Sequence, residues 1–303
     1  MIRLFALAAL LLLAAPAPGA GQVDPDIAST PDEIVSGRTD RYDRMTVPVT
    51  IEGQGPFRFM IDTGAEATVV THGLRDRLEM PLLGRATVVG MAARKQVELV
   101  ELNGLEFAAR VFDALHAPLL EAQHIGADGI LGLDSLQDLR VLIDFREGTI
   151  AVNDAAALGG NRGYEIVVRA RNKLGRLIIT NAMVDGVKTS VIIDTGAQGS
   201  MGNRALQRRL KANRGREVTT TDVTGATMIG SLTLARTIVI DRMRLTNVPV
   251  AYADAPAFAA LGLADKPAMV LGIGDLRAFD RIAIDFAERT VLFDLPRSAR
   301  AGS

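Results

Sequence analysis

The residues best suited to chemistry form a short motif that the chain contains twice. Asp62-Thr63-Gly64 and Asp194-Thr195-Gly196 each follow an apolar run that is typical of a buried strand. Two carboxylates held face to face cannot both be ionised, so they share one proton over a wide pH range. Such a pair can activate a water molecule: the ionised carboxylate takes the water's proton during attack on a peptide carbonyl, and the protonated carboxyl supports the developing oxyanion.

The segments around the two motifs recur as well. A glycine-containing turn precedes each motif, and a buried apolar run ending in Leu-Gly follows it before an Asp-Phe pair. The downstream blocks are Ile130-Leu131-Gly132 with Val270-Leu271-Gly272, and Asp144-Phe145 with Asp285-Phe286. Matching blocks in the same order indicate a duplicated structural unit. Two copies of one unit pack about a pseudo-twofold axis, which would bring Asp62 and Asp194 together.

The neighbours of the two aspartates fit such a site. Gly64 and Gly196 leave room for backbone N–H groups to approach the carboxylates. Thr63 and Thr195 are small donors that can reach across the axis and hold both loops rigid. The Leu-Gly runs are expected to lie beneath the loops, where glycine permits close backbone packing. Asp144 and Asp285 follow apolar strands and precede turns, so we expect them to form structural hydrogen bonds.

The pattern along the chain predicts many short strands and few helices, hence a mainly β protein. Helices are expected only at residues 74–82, 133–139 and 203–211. Exposed hairpins are expected around residues 90–94 and 224–227.

The N-terminus has the pattern of a secretory signal. Arg3 precedes an apolar stretch at residues 4–15, which is followed by small residues suited to cleavage. The stretch is too short for an ordinary transmembrane helix. We therefore expect export to the periplasm, with an uncleaved inner-membrane anchor as the alternative. The predicted organisation is a signal peptide (1–21), a linker or arm (22–43) that could instead be a propeptide, a first lobe (44–154), a second lobe (162–296) and a tail (297–303).

Composition narrows the partners. A formal charge of −1 gives no reason to expect nucleic acid, and none to expect a membrane surface once the signal is cleaved. The chain has no cysteine, so it forms no disulfides and is not a lipoprotein. His72, His116 and His124 lack metal-ligand spacing, and the glycine-rich segments lack a phosphate-loop pattern. No metal and no cofactor are predicted.

On these motifs the sequence resembles the retropepsin-like aspartic proteases, the superfamily of pepsins and retroviral proteases, with both lobes in one chain. Their signature is complete in each lobe: two hydrophobic residues, then Asp-Thr-Gly-Ala, and later two hydrophobic residues followed by Gly. The resemblance spans residues 44–295. It implies two β-barrel-like lobes with the active cleft between them, and Asp62 and Asp194 as the catalytic dyad. It also implies flaps at the two hairpins, with the candidate residues Gly90, Met91, Gly225 and Ala226.

The flap stretches contain no tyrosine, unlike those of pepsins, and alanine follows each Asp-Thr-Gly, as in the retroviral branch. The resemblance implies an aspartic endopeptidase that acts on a peptide or protein as a monomer. A catalytically inactive periplasmic peptide-binding protein on the same scaffold is the alternative. A further alternative is pairing of each lobe with the same lobe of another chain.

Overall fold

The structure, a computed structural model, describes residues 45–212 and 215–296, together with strand backbone at residues 2–5, 34–35 and 38–39. Strands dominate these parts, so the predicted mainly β class is confirmed. The strands up to the end of the first lobe are β1 (Ile2–Phe5), β2 (Ile34–Val35), β3 (Arg38–Thr39), β4 (Met45–Ile51), β5 (Gln54–Ile61), β6 (Val69–Thr71), β7 (Leu82–Val89), β8 (Arg94–Leu102), β9 (Leu105–Phe107), β10 (Arg110–Phe112), β11 (Leu115–Leu120), β12 (Gly129–Leu131), β13 (Arg140–Asp144) and β14 (Thr149–Asn153).

The second lobe repeats this arrangement. Its strands are β15 (Ile166–Arg169), β16 (Arg171–Lys173), β17 (Arg176–Val184), β18 (Val187–Asp194), β19 (Ser200–Asn203), β20 (Arg216–Thr221), β21 (Thr227–Ile240), β22 (Met243–Ala253), β23 (Ala268–Gly272), β24 (Arg281–Asp285) and β25 (Thr290–Asp294). The helices are α1 (His72–Arg77), α2 (Ala122–Ile125), α3 (Leu133–Leu136), α4 (Arg204–Leu210), α5 (Pro256–Ala260) and α6 (Ile273–Leu276).

Each lobe is a curled sheet with the same strand order around the Asp-Thr-Gly motif. In the first lobe β5, which leads into Asp62, is parallel to β12, and β12 is antiparallel to β6. In the second lobe β18, which ends on Asp194, is parallel to β23, and β23 is antiparallel to β19. Strands buried on both faces are apolar without alternation, which explains runs such as Phe59-Met60-Ile61.

A third sheet of six strands joins the lobes, in the order β15-β25-β24-β13-β14-β2. The lobes meet where β13 pairs with β24. The side chains of Arg140 and Asp285 form a buried ion pair across this junction, 2.6 Å apart, and Asp285 also accepts the Glu288 N–H. Asp144 accepts the N–H groups of the turn that follows it. Both aspartates thus form structural hydrogen bonds, as predicted.

Part of the segment predicted as a linker or arm is paired with the first lobe. Ile34–Val35 pairs with β14, and Arg38–Thr39 pairs with β4. The sequence contains a signal for this pairing, because Glu33-Ile34-Val35 recurs as Glu165-Ile166-Val167, with the same offset of 132 residues that separates Thr63 from Thr195. The duplicated unit therefore extends upstream of residue 44.

The predicted helices are shorter in the structure, and three further short helices are present. The helix predicted at 74–82 is α1, which begins one residue after Thr71, whose side chain caps the Leu74 N–H. Leu82 and Leu83 belong instead to β7, where both are about half exposed. The helices predicted at 133–139 and 203–211 are α3 and α4, and the pattern did not predict α2, α5 and α6.

The chain ends lie mostly beyond the described residues. The predicted signal segment is described only at the backbone of β1, which pairs in parallel with Ala86–Val89 of β7. The predicted tail, 297–303, lies outside the described part altogether. Among the described residues, no helix has the length and apolar character needed to cross a membrane.

Candidate active site

The two Asp-Thr-Gly loops meet at the interface between the lobes, where their threonines interlock. The Thr63 hydroxyl donates to Ile193 O (3.0 Å), and the Thr195 hydroxyl donates to Ile61 O (2.7 Å). Each threonine oxygen also accepts the backbone N–H of the other threonine, at 3.1 and 3.2 Å. All four hydrogen bonds are buried, so neither loop can move without breaking bonds to the other.

The aspartate carboxyls are adjacent and buried. A Cβ atom added to Gly64 would lie 2.5 Å from Asp194 Oδ2, and one added to Gly196 would lie closer still to the Asp62 carboxyl. Each carboxyl therefore occupies the space above the glycine of the opposite lobe. Only 1% of Asp62 and none of Asp194 is exposed to solvent.

The two carboxyls have different surroundings. Asp62 Oδ1 accepts the Gly64 N–H (2.8 Å), whereas Asp194 Oδ1 accepts the N–H groups of Gly196 (2.9 Å) and Ala197 (3.0 Å). Asp194 Oδ2 is buried and accepts no backbone N–H, and the titratable side chain beside the Asp194 carboxyl is that of Asp62. Burial, and then the charge of Asp62, raises the pKa of Asp194 well above its usual range, although the N–H groups oppose this. The pair therefore keeps a proton at pH values where an exposed aspartate is ionised.

The Leu-Gly strands lie beneath the loops and hold them by backbone hydrogen bonds. Leu131 O accepts the Asp62 N–H (3.1 Å), and Ala65 O accepts the Leu133 N–H (2.8 Å). A Cβ atom at Gly132 would collide with the Ala67 backbone, and one at Gly272 would lie 2.7 Å from Ala197 O. Glycine is therefore required at both strand ends, as its predicted role in close packing implies.

Sequence reasoning missed a second carboxylate that supports each loop. Asp134 accepts both the N–H (2.8 Å) and the hydroxyl (2.7 Å) of Thr68, and Asp275 accepts the hydroxyl of Ser200. An aspartate shortly after each Leu-Gly is the available signal. The two aspartates do not align in the repeat, because Asp134 is the second residue after its glycine, whereas Asp275 is the third.

An arginine of the second lobe also holds the first loop. Arg176 is fully buried and donates from Nε to Gly64 O (3.0 Å) and from Nη1 to Glu66 Oε1 (2.8 Å). Burial raises the pKa of Glu66 to about 7, although the charge of Arg176 lowers it. The sequence signal is a repeated arginine, because Arg44 precedes Asp62 by the same interval.

The two predicted flap hairpins join at their tips. Gly90 donates its N–H to Ala93 O (2.8 Å) in the first tip, and Asp222 begins the second tip by donating its N–H to Ala226 O (2.9 Å). The Ala92 N–H donates to Asp222 Oδ2 (2.9 Å) across the two tips, and Lys95 Nζ donates to Thr224 O (3.0 Å).

Apolar contacts between the flap tips and the lobes are reciprocal. Met91 of the first flap packs against the core of the second lobe, and Val223 of the second flap packs against the core of the first. Gly225 has a φ of +81° and lies against the His124 ring, so a side chain at this position would clash. Gly90, Met91, Gly225 and Ala226 thus all lie in the two joined tips.

A cavity of about 550 Å³ lies between the second flap and the second Asp-Thr-Gly loop. Its lining includes Met91, Gly196, Ser200 and Thr221, so it adjoins the loop that carries Asp194. Among the described residues, no group of His, Asp or Glu is arranged to hold a metal ion. The histidines lie apart: His72 is 3.8 Å from Glu121, His116 is in β11, and His124 contacts the second flap.

The pH dependence of stability should reveal the protonation of the support carboxyl Asp134. Burial raises the pKa of Asp134 to about 6. A raised native pKa means that the contribution to stability is present below the unfolded value, about 4, and is lost as the pH rises through 6. We expect the free energy of unfolding of the native protein, minus that of Asp134→Asn, to fall by about 2–3 kcal/mol between pH 4 and pH 7. Urea unfolding of both proteins at several pH values measures this difference. A difference that stays constant or rises with pH would show that Asp134 is ionised in the fold.

Comparison with protein families agrees with this geometry. Residues 47–138 match the family described as "gag-polyprotein putative aspartyl protease", and residues 180–274 match the family described as "Aspartyl protease". Each matched segment contains one Asp-Thr-Gly motif and the Leu-Gly strand that follows it. No curated protein sequence matches the chain significantly.

Proposed function

Because the chain belongs to the retropepsin-like aspartic proteases, in a form with both lobes on one polypeptide, we propose that it is an endopeptidase in which Asp62 and Asp194 activate a water molecule. The observation that carries this proposal is the buried carboxyl pair, with each carboxyl placed over the glycine of the opposite lobe. Such a pair holds one proton and one charge, which a water-activating dyad needs.

The surroundings of the carboxyls suggest how the steps divide. Asp62, as the ionised carboxylate, takes a proton from the water while the water oxygen bonds to the peptide carbonyl carbon. Asp194, whose pKa is raised, is protonated and donates a hydrogen bond to the carbonyl oxygen as that oxygen becomes negative. The C–N bond then breaks, and the proton held by Asp62 passes to the departing amine nitrogen.

The rest of the site supports this chemistry by restricting motion and water. The threonine hydrogen bonds fix the two loops, so little reorganisation accompanies the reaction. The dyad is at most 1% exposed, and this exclusion of bulk water strengthens electrostatic interactions inside the cleft. The cavity beside Gly196 has the volume of a typical ligand site and suits part of a peptide.

The proposed setting follows from the sequence. We propose that the enzyme acts as a monomer on a peptide or protein substrate, because both aspartates belong to one chain and their loops interlock within it. We also propose export to the periplasm, on the basis of the N-terminal pattern. Gel filtration of the active protein and fractionation of cells that express it measure these two properties.

Digestion of a peptide library and of a denatured protein, read by mass spectrometry, tests the activity. We expect new internal termini, and we expect pepstatin-type inhibitors, which imitate the tetrahedral intermediate, to suppress their formation. Asp62→Asn, purified in parallel, is the control for contaminating proteases. Tight inhibitor binding without any cleavage would favour the inactive peptide-binding protein instead.

A further inference from the structure

The two halves of the cleft have diverged at the residues that follow each Asp-Thr-Gly. With the same 132-residue offset, Ala65 and Ala67 of the first lobe correspond to Ala197 and Gly199 of the second. Ala65 and Ala67 are buried, at 0% and 2% exposure, whereas Ala197 is half-buried and Gly199 is exposed. The duplication therefore produced two similar loops with different access to solvent.

The flap strands show the same difference. Ala86 and Val88 of the first flap are buried, and their counterparts, Val218 and Thr220, are half-buried. In the first lobe the space beside the flap is filled by an apolar cluster, against which Val223 of the second flap packs. In the second lobe the corresponding space is the cavity of about 550 Å³. A cavity of this size therefore lies on the second-lobe side, where the first lobe has packed apolar side chains.

The walls of the cavity are mainly apolar. Met201, Leu232, Pro249 and Val270 contribute to them together with flap residues. Gly199 forms part of the opening, and a Cβ atom built on it meets no atom within 4 Å. Its φ lies outside the left-handed region, so a larger residue is accommodated at this edge of the cavity without a clash or backbone strain.

We propose that this cavity binds a large apolar side chain of the substrate on one side of the scissile bond, and that Gly199 determines this preference. The filled first lobe admits only a small side chain on the other side of the bond. The inference rests on the proposed peptidase function. Burial of an apolar side chain in a preformed apolar cavity is favourable, whereas the close-packed cluster of the first lobe would have to be displaced. The preferred substrates are thus peptides with unlike residues at the two positions.

The test compares the native protein with Gly199→Leu on a peptide library and on two peptides that differ only in Phe or Ala at the selective position. We expect the native protein to prefer the Phe peptide. Gly199→Leu should lower kcat/KM for the Phe peptide about 10- to 100-fold and leave the Ala peptide nearly unchanged. Gly199→Ala should have a smaller effect in the same direction. Gly73→Leu, on exposed helix α1 with open space around it, is the matched control and should match the native protein.

A binding measurement separates failure of this inference from failure of the proposed function. Fluorescence anisotropy with the labelled Phe peptide is recorded for Asp62→Asn with and without Gly199→Leu, and we expect weaker binding by the double variant. If Gly199→Leu weakens peptide binding but the native protein cleaves nothing, the cavity assignment stands and the peptidase function is contradicted. If the native protein and Gly199→Leu both cleave with the same side-chain preference, the cavity assignment is overturned and the peptidase function stands. Absence of both cleavage and binding would overturn both.

Discussion

Asp62→Asn and Asp194→Asn are each expected to lower kcat/KM by about 10²- to 10⁴-fold, the range that positioned acid–base groups supply. An amide has nearly the shape of a carboxyl but cannot share a proton with its partner. The fold should persist although both positions are buried at the interface, because the amide oxygen can still accept the loop N–H groups. Asp194→Asn removes a carboxyl whose pKa burial has raised, so its melting temperature at pH 7 should not be lower than that of the native protein.

Steady-state kinetics and thermal unfolding of both variants measure these effects. Asp76→Asn provides the control, because its side chain is exposed and paired with Arg75 on the surface. It should match the native protein in rate and in melting temperature. A dyad variant that retained a tenth or more of the native kcat/KM would contradict the shared-proton mechanism.

Gly64→Ala and Gly196→Ala should each abolish measurable activity and lower the free energy of unfolding by about 1–3 kcal/mol, the usual cost of overpacking. The added methyl group would overlap the carboxyl of the opposite lobe. That carboxyl cannot retreat easily, because its Oδ1 is held by the N–H groups of its own loop. Urea unfolding and kinetics measure the two losses.

Gly73→Ala isolates the steric cause. A Cβ atom at Gly73 meets nothing within 4 Å, and its position in helix α1 favours alanine over glycine by up to about 1 kcal/mol. This variant should be unchanged in activity and equal or greater in stability. If Gly64→Ala behaved like Gly73→Ala, the carboxyls could not lie where the structure places them.

The parts of the site that the sequence predicted depend on residue types at fixed local spacing. Asp62 and Asp194 need a glycine two residues later, and each loop needs a Leu-Gly strand beneath it, so both copies retain the same letters. The strands were predictable because a strand buried on both faces is apolar throughout. The duplication made these local patterns visible twice.

The parts that the sequence did not predict depend on contacts between distant segments. The predicted helix ran on to the apolar residue Leu82, but Leu82 lies on a strand whose position is set by pairing with β8. The role of Asp222 depends on the first flap, which supplies the Ala92 N–H across the cleft. The cavity beside Gly199 lies where the first lobe has a filled space, and no local pattern reports a difference in packing between two lobes.

The joined flaps have a consequence for how quickly a peptide can bind. Two hydrogen bonds, from Ala92 to Asp222 and from Lys95 to Thr224, connect the tips above a dyad that is at most 1% exposed. In the proposed peptidase, a peptide reaches the carboxyls only while the tips are apart. The association rate then follows the open fraction rather than the collision rate, and the apparent affinity falls by the same fraction. A peptide whose own backbone N–H replaces that of Ala92 at Asp222 would hold the flaps open at little cost, and it would bind more tightly than its contacts inside the cleft alone suggest.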